Sequence, residues 1–243
     1  MSQLLLAPPA RKQATAVTYD ELDKIEVPEA TESWQPVSHA RVLDMVTDSM
    51  ESLGFRIQGR TLIVARYNQQ FFGTLDLESY VTDGVKLSVG VRNSINKTLS
   101  AGLVFGETVL VCSNLCFFGE RSLFRKHTSN IERDLHVKIR ETVASLRQYR
   151  EASKERIELL RSRSITDTEA DSLILRAYEQ NLVGSRMLPR FIEEWRQPRY
   201  DDFSQRNRWS LLNCFTELYH ERHKEQPIAA SQETMAFQKF LCA

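Results

Sequence analysis

The sequence predicts an α+β fold: an N-terminal helix, an antiparallel sheet of about four strands, a long bracing helix and a helical C-terminal part. Three observations carry that expectation. Apolar residues recur at helical spacing over residues 38–53, give way to short β-branched and aromatic runs up to residue 113, and return to helical spacing from Ser129. The links between the middle runs are short, which favours antiparallel neighbours over crossovers. The order along the chain, with strands first and helices after them, separates this class from an alternating α/β fold.

Residues 1–36 read as a flexible, acidic, proline-containing tail. Pro8, Pro9, Pro28 and Pro36 interrupt it, and "YDELDKIEVPEATE" is acidic with little periodicity. Such a segment buries too little apolar surface to offset its ordering entropy. A short helix around Tyr19–Ile25 is the one element expected there, as a docking segment. Residues 37–165 then form the α+β core, and residues 166–243 a helical part packed on it as one cooperative domain.

Ser38 is the expected N-cap of the first core helix. Val42, Val46, Met50 and Leu53 form its apolar face, and Gly54 ends it. Strands are expected at "RTLIVARY", "QQFFGTLDL", "VKLSVGVR" and "ETVLVCS". In the third, Val85, Leu87, Val89 and Val91 alternate with Lys86, Ser88, Gly90 and Arg92, as in a strand with one buried face. The stretch "VLVCSNLCFFGERSLFRKHTSNI" reads as a core strand, a glycine-containing turn and a basic entry to a helix.

From Ile131 a stripe of Leu135, Ile139, Leu146, Tyr149, Ile157 and Leu160 predicts one helix of about 45–50 Å at 1.5 Å per residue. A helix of that length braces a whole sheet or pairs with a second copy, so a homo-oligomer is one expectation. Thr166 and Glu169 form a capping box for the next helix, which runs toward Gly184. Pro189 sits early in a further helix. In "RWSLLNCFTELYHERHKE" apolar residues wrap most of the surface, so this helix should be largely buried, and a last helix follows Ser231.

Composition narrows the function classes. The 243 residues carry 32 basic and 32 acidic side chains, so a nucleic-acid footprint has to be local. Four scattered cysteines, Cys112, Cys116, Cys214 and Cys242, do not make the dense framework of a small secreted domain. The opening "MSQLLLAPPARK" has too short an apolar run for a signal peptide, and no later segment reaches membrane length. The expectation is a cytoplasmic protein with no membrane partner and no cofactor.

Several side-chain sets could carry chemistry. Cys112 with His127 pairs a thiol with a base beside a helix entry, against the commoner role of a strand-end cysteine as a small buried hydrophobe. Cys112 and Cys116 have a zinc-like spacing, but a second ligand pair is missing at familiar spacing from His127 and His136. Glu217 and His220 put a carboxylate and an imidazole on one helical face, as in di-iron bundles, although a second such helix is required. Here the competing reading is a solvated helix end with its histidines near the negative pole of the dipole. Between residues 121 and 163 twelve basic residues stand against six acidic ones. Arg121, Arg125, Lys126 and His127 lie before the long helix, interleaved with Phe117 and Phe124. Basic groups beside aromatic faces suit phosphate and base contacts to a single strand, against ordinary core phenylalanines and a salt-bridged helix surface.

Three segments, "LSVGVRNS", "VLVCSNLCFFG…RKHTSNIERDL" and "RWSLLNCFTELYHERH", together resemble the domain-of-unknown-function 932 family of phage/plasmid-like proteins. The resemblance carries over to Asn93, Ser94, Cys112, Asn114, His127, Trp209, Asn213, Thr216 and His220. Where the family pattern reads His-Asp-Gly after Asn-Ser, this chain has Ile95-Asn96-Lys97. The resemblance implies a mobile-element protein of a bacterial cytoplasm and no particular reaction. The leading functional expectation is therefore an accessory protein of DNA metabolism that binds single-stranded DNA or RNA, in single-strand binding or annealing. The alternatives are a host-interaction or anti-defence protein that binds a host protein, and an enzyme using Cys112 and His127 or a metal at Glu217 and His220.

Overall fold

The computed structural model describes residues 14–110, 114–219 and 227–243, with the side chains of 114–122, 227–229 and 231 excepted. It is an α+β protein built on a six-stranded antiparallel sheet whose strands lie side by side in chain order. The strands are β1 (Thr15–Ala16), β2 (Ile57–Ala65), β3 (Gln70–Thr82), β4 (Val85–Ser94), β5 (Ala101–Val109) and β6 (Asn114–Arg125). Eight α-helices are present among the described residues: α1 (Tyr19–Asp23), α2 (His39–Ser52), α3 (Ile131–Ala144), α4 (Leu146–Ser162), α5 (Asp167–Glu179), α6 (Leu188–Arg196), α7 (Arg208–Leu218) and α8 (Pro227–Cys242). None is long and apolar enough to cross a membrane.

Two strands more than expected come from opposite ends of the sheet. At one edge, Thr15 and Ala16 pair with Val64 and Ile63. The expected tail thus adds a strand, and α1 after it buries Leu22 in the core and ties Tyr19 Oη to the Asp44 carboxylate at 2.9 Å. Thr18 caps α1 with a full capping box, which gives local order to a segment whose composition reads as disordered. At the other edge, the stretch expected as a glycine turn and basic entry is strand β6, which passes straight through Gly119. Its extra residues are absorbed by an irregularity in the pairing opposite Val104 and Phe105, where the register shifts. Correspondingly, β5 starts at Ala101 and ends at Val109, earlier than the apolar run "VLVCS" suggested.

The second difference is in the long helix. It breaks at Ser145 into α3 and α4. Ser145 Oγ donates to the Thr142 carbonyl at 2.7 Å, and the Ser145 N–H turns to the same carbonyl at 3.0 Å. Thr142 Oγ1 in turn donates to the Lys138 carbonyl at 2.7 Å. Hydroxyls that compete for helix carbonyls tighten and bend the ladder. Both halves keep the predicted stripe buried, Ile131, Leu135 and Ile139 on α3 and Leu146, Tyr149, Ile157 and Leu160 on α4.

Several further local expectations are met. Ser38 caps α2 by accepting from the Arg41 N–H at 3.1 Å, and Val42, Val46 and Met50 are fully buried. Gly54 takes φ +81° where the chain leaves the helix. Thr166 and Glu169 form the capping box of α5, and proline opens α6. Helix α5 ends at Glu179, short of Gly184, because Asn181 (φ 60°) supplies the left-handed residue. Helix α7 is buried nearly all round, and α8 begins at Pro227, before Ser231.

Strand pairing sorts the sheet residues onto two faces. Leu62, Leu75, Val89, Val91, Leu103 and Phe105 belong to one face and are buried in the same core as the helices. The other face carries Thr61, Ile63, Phe72, Thr74, Asp76, Lys86, Ser88, Gly90, Arg92, Val104, Thr108 and Phe124. Its apolar members Ile63, Phe72 and Val104 are not part of that core cluster, and its outermost members Thr61 and Phe124 are exposed. The described helices pack on the first side of the sheet; on the second, Phe72, Thr74 and Ser88 are buried among their neighbours, while Asp76, Lys86, Arg92 and Thr108 are partly exposed.

Candidate functional site

On the second face a cation and an aromatic ring are assembled from three strands. Arg92 of β4 lies opposite Gly102 of β5, which lies opposite Phe124 of β6. Gly102 has no side chain to stand between them, so the Phe124 ring lies across it and meets the Arg92 guanidinium 4.0 Å from its centroid. A Cβ at position 102 would collide with the Leu123 carbonyl oxygen and come within 2.5 Å of the Phe124 ring. Phe124 keeps 49% of its surface exposed. Arg92 is half-buried, its Nε has no hydrogen-bond partner, and no carboxylate among the described residues pairs with it. Burial pulls its pKa below the usual value, so the guanidinium is an under-solvated cation. Such a group gains from an incoming anion more than a hydrated lysine would.

Farther along the same face lies a polar cavity of about 230 Å³, lined by Gln58, Gly59, Asp76, Lys86, Thr108 and Leu110. Ser88 of β4 and Thr108 of β5 reach the Asp76 carboxylate of β3, each with its hydroxyl on Oδ1, at 2.8 and 3.1 Å. Lys86 Nζ donates to Gln58 Oε1 and sits 5.2 Å from the centroid of the exposed Tyr80 ring.

The buried end of β4 holds polar residues of the sequence motif. Asn93 and Ser94 are fully buried. Asn93 Nδ2 donates to the Val37 carbonyl at 2.8 Å and to His39 Nδ1 at 3.0 Å. With Nδ1 accepting, the His39 Nε2–H donates to the Asn68 carbonyl at 2.9 Å. That bond holds the β2–β3 turn, in which Arg66, Tyr67 and Asn68 all have positive φ. Ser94 Oγ closes the next loop by donating to the Leu99 carbonyl and accepting from the Leu99 N–H, both at 2.9 Å. These residues therefore join the sheet to α2 and to its own loops. In the place where the family pattern has His-Asp-Gly, Ile95 is buried and Lys97 Nζ sits 4.7 Å from the Trp34 ring centroid.

The basic stretch before α3 is divided. Arg125 is committed to Asp134 at 2.5 Å. His127 is 5% exposed and accepts from the Val37 N–H at Nδ1, 3.2 Å away. Burial lowers its pKa, which favours the neutral imidazole at this internal position. Lys126 is exposed. Cys112 lies outside the described residues, as do the side chains of Asn114, Cys116, Phe117 and Arg121. On α4, ion pairs Arg150–Glu151 and Lys154–Glu158 account for part of the excess charge as a salt-bridged surface.

The helix α7 motif is internal as well. Trp209, Asn213 and Thr216 are buried, and Asn213 and Thr216 bond back to helix carbonyls. Glu217 accepts from Arg199 Nη1 at 2.6 Å, and the Arg199 N–H donates to Glu194 at 2.9 Å, so one arginine bridges two carboxylates. Glu217 thus has a cation already, and no group of three or more histidine, cysteine, aspartate or glutamate residues fit to hold a metal occurs among the described residues. His220 lies outside them. The buried Cys214 thiol, pushed up to about 12 by burial and by the nearby Glu194, is no nucleophile at neutral pH.

Arg92, the centre of the second face, escaped the sequence reading, although the alternation of β4 had already placed it on the polar row. What singles it out is Gly102, whose missing side chain brings it to Phe124, and no local pattern in the sequence reports that pairing. With this geometry in view, the chain matches the family described as domain of unknown function (DUF932) over residues 29–239, and it belongs to that family. No curated protein and no solved structure matches it.

Proposed function

We propose that the second sheet face binds single-stranded nucleic acid, in an accessory role in DNA metabolism. The observation that carries this reading is the exposed Phe124 ring laid against the under-solvated Arg92 on the sheet face opposite the helical core. An aromatic platform stacks a splayed base, and the adjacent guanidinium neutralises a backbone phosphate. A duplex keeps its bases paired and offers nothing to stack, so the face should prefer single strands. The interface lies on the sheet and not at the α3 entry, where Arg125 and His127 are internally committed.

The test is fluorescence anisotropy with labelled single- and double-stranded oligonucleotides across a salt series. The unmodified protein should bind the single strand more tightly, with affinity falling as salt rises. Phe124→Ala should weaken single-strand binding by about fivefold to a hundredfold, the range of one base–aromatic stack. Absence of binding at low salt, or unchanged binding in the Phe124 and Arg92→Ala variants, rejects the proposal.

A further inference from the structure

Along strand β4, four residues separate Arg92 from Ser88, a span of about 13 Å at 3.3 Å per residue. Beside Ser88 lies Asp76, at the rim of the polar cavity. Between the Arg92–Phe124 platform and this cavity the face is paved with short side chains. Thr74, Gly90 and Val104 stand in one row across three strands, and Asp76, Ser88 and Gly106 in the next. Thr74, Ser88, Gly90 and Gly106 are themselves buried, so a strand passing from one feature to the other lies over the partly exposed Val104, Asp76 and Thr108 beside them.

A carboxylate on such a track repels phosphate, so its place there needs a different explanation. Asp76 is held in orientation through Oδ1 by Ser88 and Thr108, while Oδ2 lies over Gly59 and has no hydrogen-bond donor among the described residues. Gly59 adds no side chain of its own there, so the Asp76 carboxylate borders the cavity, and Lys86 lines the same cavity with an ammonium group. The cavity thus sets a fixed acceptor beside a strong donor, and about 230 Å³ gives room for one planar heterocycle.

Resting on the strand-binding reading, we infer that the Asp76–Lys86 cavity is a base-reading pocket selective for guanine. Guanine alone among the bases presents two adjacent donors, N1–H and N2–H, next to a carbonyl acceptor, O6. The donors meet the Asp76 carboxylate and O6 meets the Lys86 ammonium. Thymine sets a carbonyl on each side of its single N–H, so a carboxylate facing it meets lone pairs. Adenine and cytosine lack the second donor.

The experiment compares an all-thymine oligonucleotide with the same strand carrying one central guanine or one central inosine, which lacks the N2 amine. Each is titrated by anisotropy against the unmodified protein and Asp76→Asn, a near-isosteric change. The guanine strand should bind about fivefold to a hundredfold tighter than the thymine strand, the discrimination of one bidentate contact, with inosine between them. In Asp76→Asn the preference should collapse while affinity for the thymine strand stays or rises, because a negative charge has left the track. Equal binding of guanine and thymine strands, or a preference that survives Asp76→Asn, overturns the pocket and leaves strand binding standing. Failure to bind any of the three strands overturns both.

Discussion

Mild acid should loosen this protein by protonating His39, and the size of the effect can be worked from its surroundings. The imidazole is 1% exposed, accepts from Asn93 at Nδ1 and donates from Nε2 to the Asn68 carbonyl. Burial, with a smaller contribution from the neighbouring His127, lowers its pKa from 6.5 to about 4. Between those two values the unfolded chain binds a proton at this site that the folded protein refuses. Stability therefore falls as pH drops from about 6.5 toward 4, by about 3 kcal/mol for a gap of that size. His127, also depressed by burial, adds in the same direction. Structurally, a protonated His39 offers Asn93 a donor where an acceptor stood. Urea denaturation followed by tryptophan fluorescence at several pH values between 7 and 4.5 measures this, for the unmodified protein and His39→Gln. Glutamine does not titrate, and all other ionisable groups are common to both proteins. The stability advantage of the unmodified protein over the variant should shrink by about 2–3 kcal/mol across the range. An advantage that stays constant with pH refutes the reasoning.

The remaining predictions concern the sheet. Gly102→Ala forces a methyl group against the Leu123 carbonyl and the Phe124 ring, so it should cost about 1–3 kcal/mol in chemical denaturation and weaken single-strand binding as Phe124 is displaced. Unchanged stability and binding would show that the β5–β6 contact is looser than the geometry implies. Glu107 has the opposite pH signature to His39. It is buried beneath Tyr149, Ser153 and Arg156, and burial raises its pKa from 4.5 to about 8. The stability it contributes is complete below 4.5 and is lost as pH rises through 8. Against Glu107→Gln, the unmodified protein should therefore lose stability between pH 5 and 8, and parallel curves for the two proteins would contradict this.

Much of the architecture follows from local chemistry alone. The α+β class, the caps at Ser38 and Thr166 and the buried stripes of α2, α3, α4 and α7 are all properties of neighbours along the chain, where spacing and hydrogen-bonding side chains act directly. The short helix expected near Tyr19 is α1, but the strand at Thr15–Ala16 escapes a local reading because its order comes from pairing with β2, a contact distant in sequence. Gly119 suggested a turn because a lone glycine signals one, whereas an irregularity against β5 lets β6 run through it. The helix break at Ser145 depends on which carbonyl a hydroxyl selects, a choice periodicity does not encode. The same division governs the candidate site. The chain marks Arg125, Lys126 and His127 as a basic cluster, but the fold turns His127 inward and ties Arg125 to Asp134. Arg92, Gly102 and Phe124 lie apart in sequence and form a platform because three antiparallel strands bring them into one row. Residue order fixes which side chains are available, and strand register decides which of them meet.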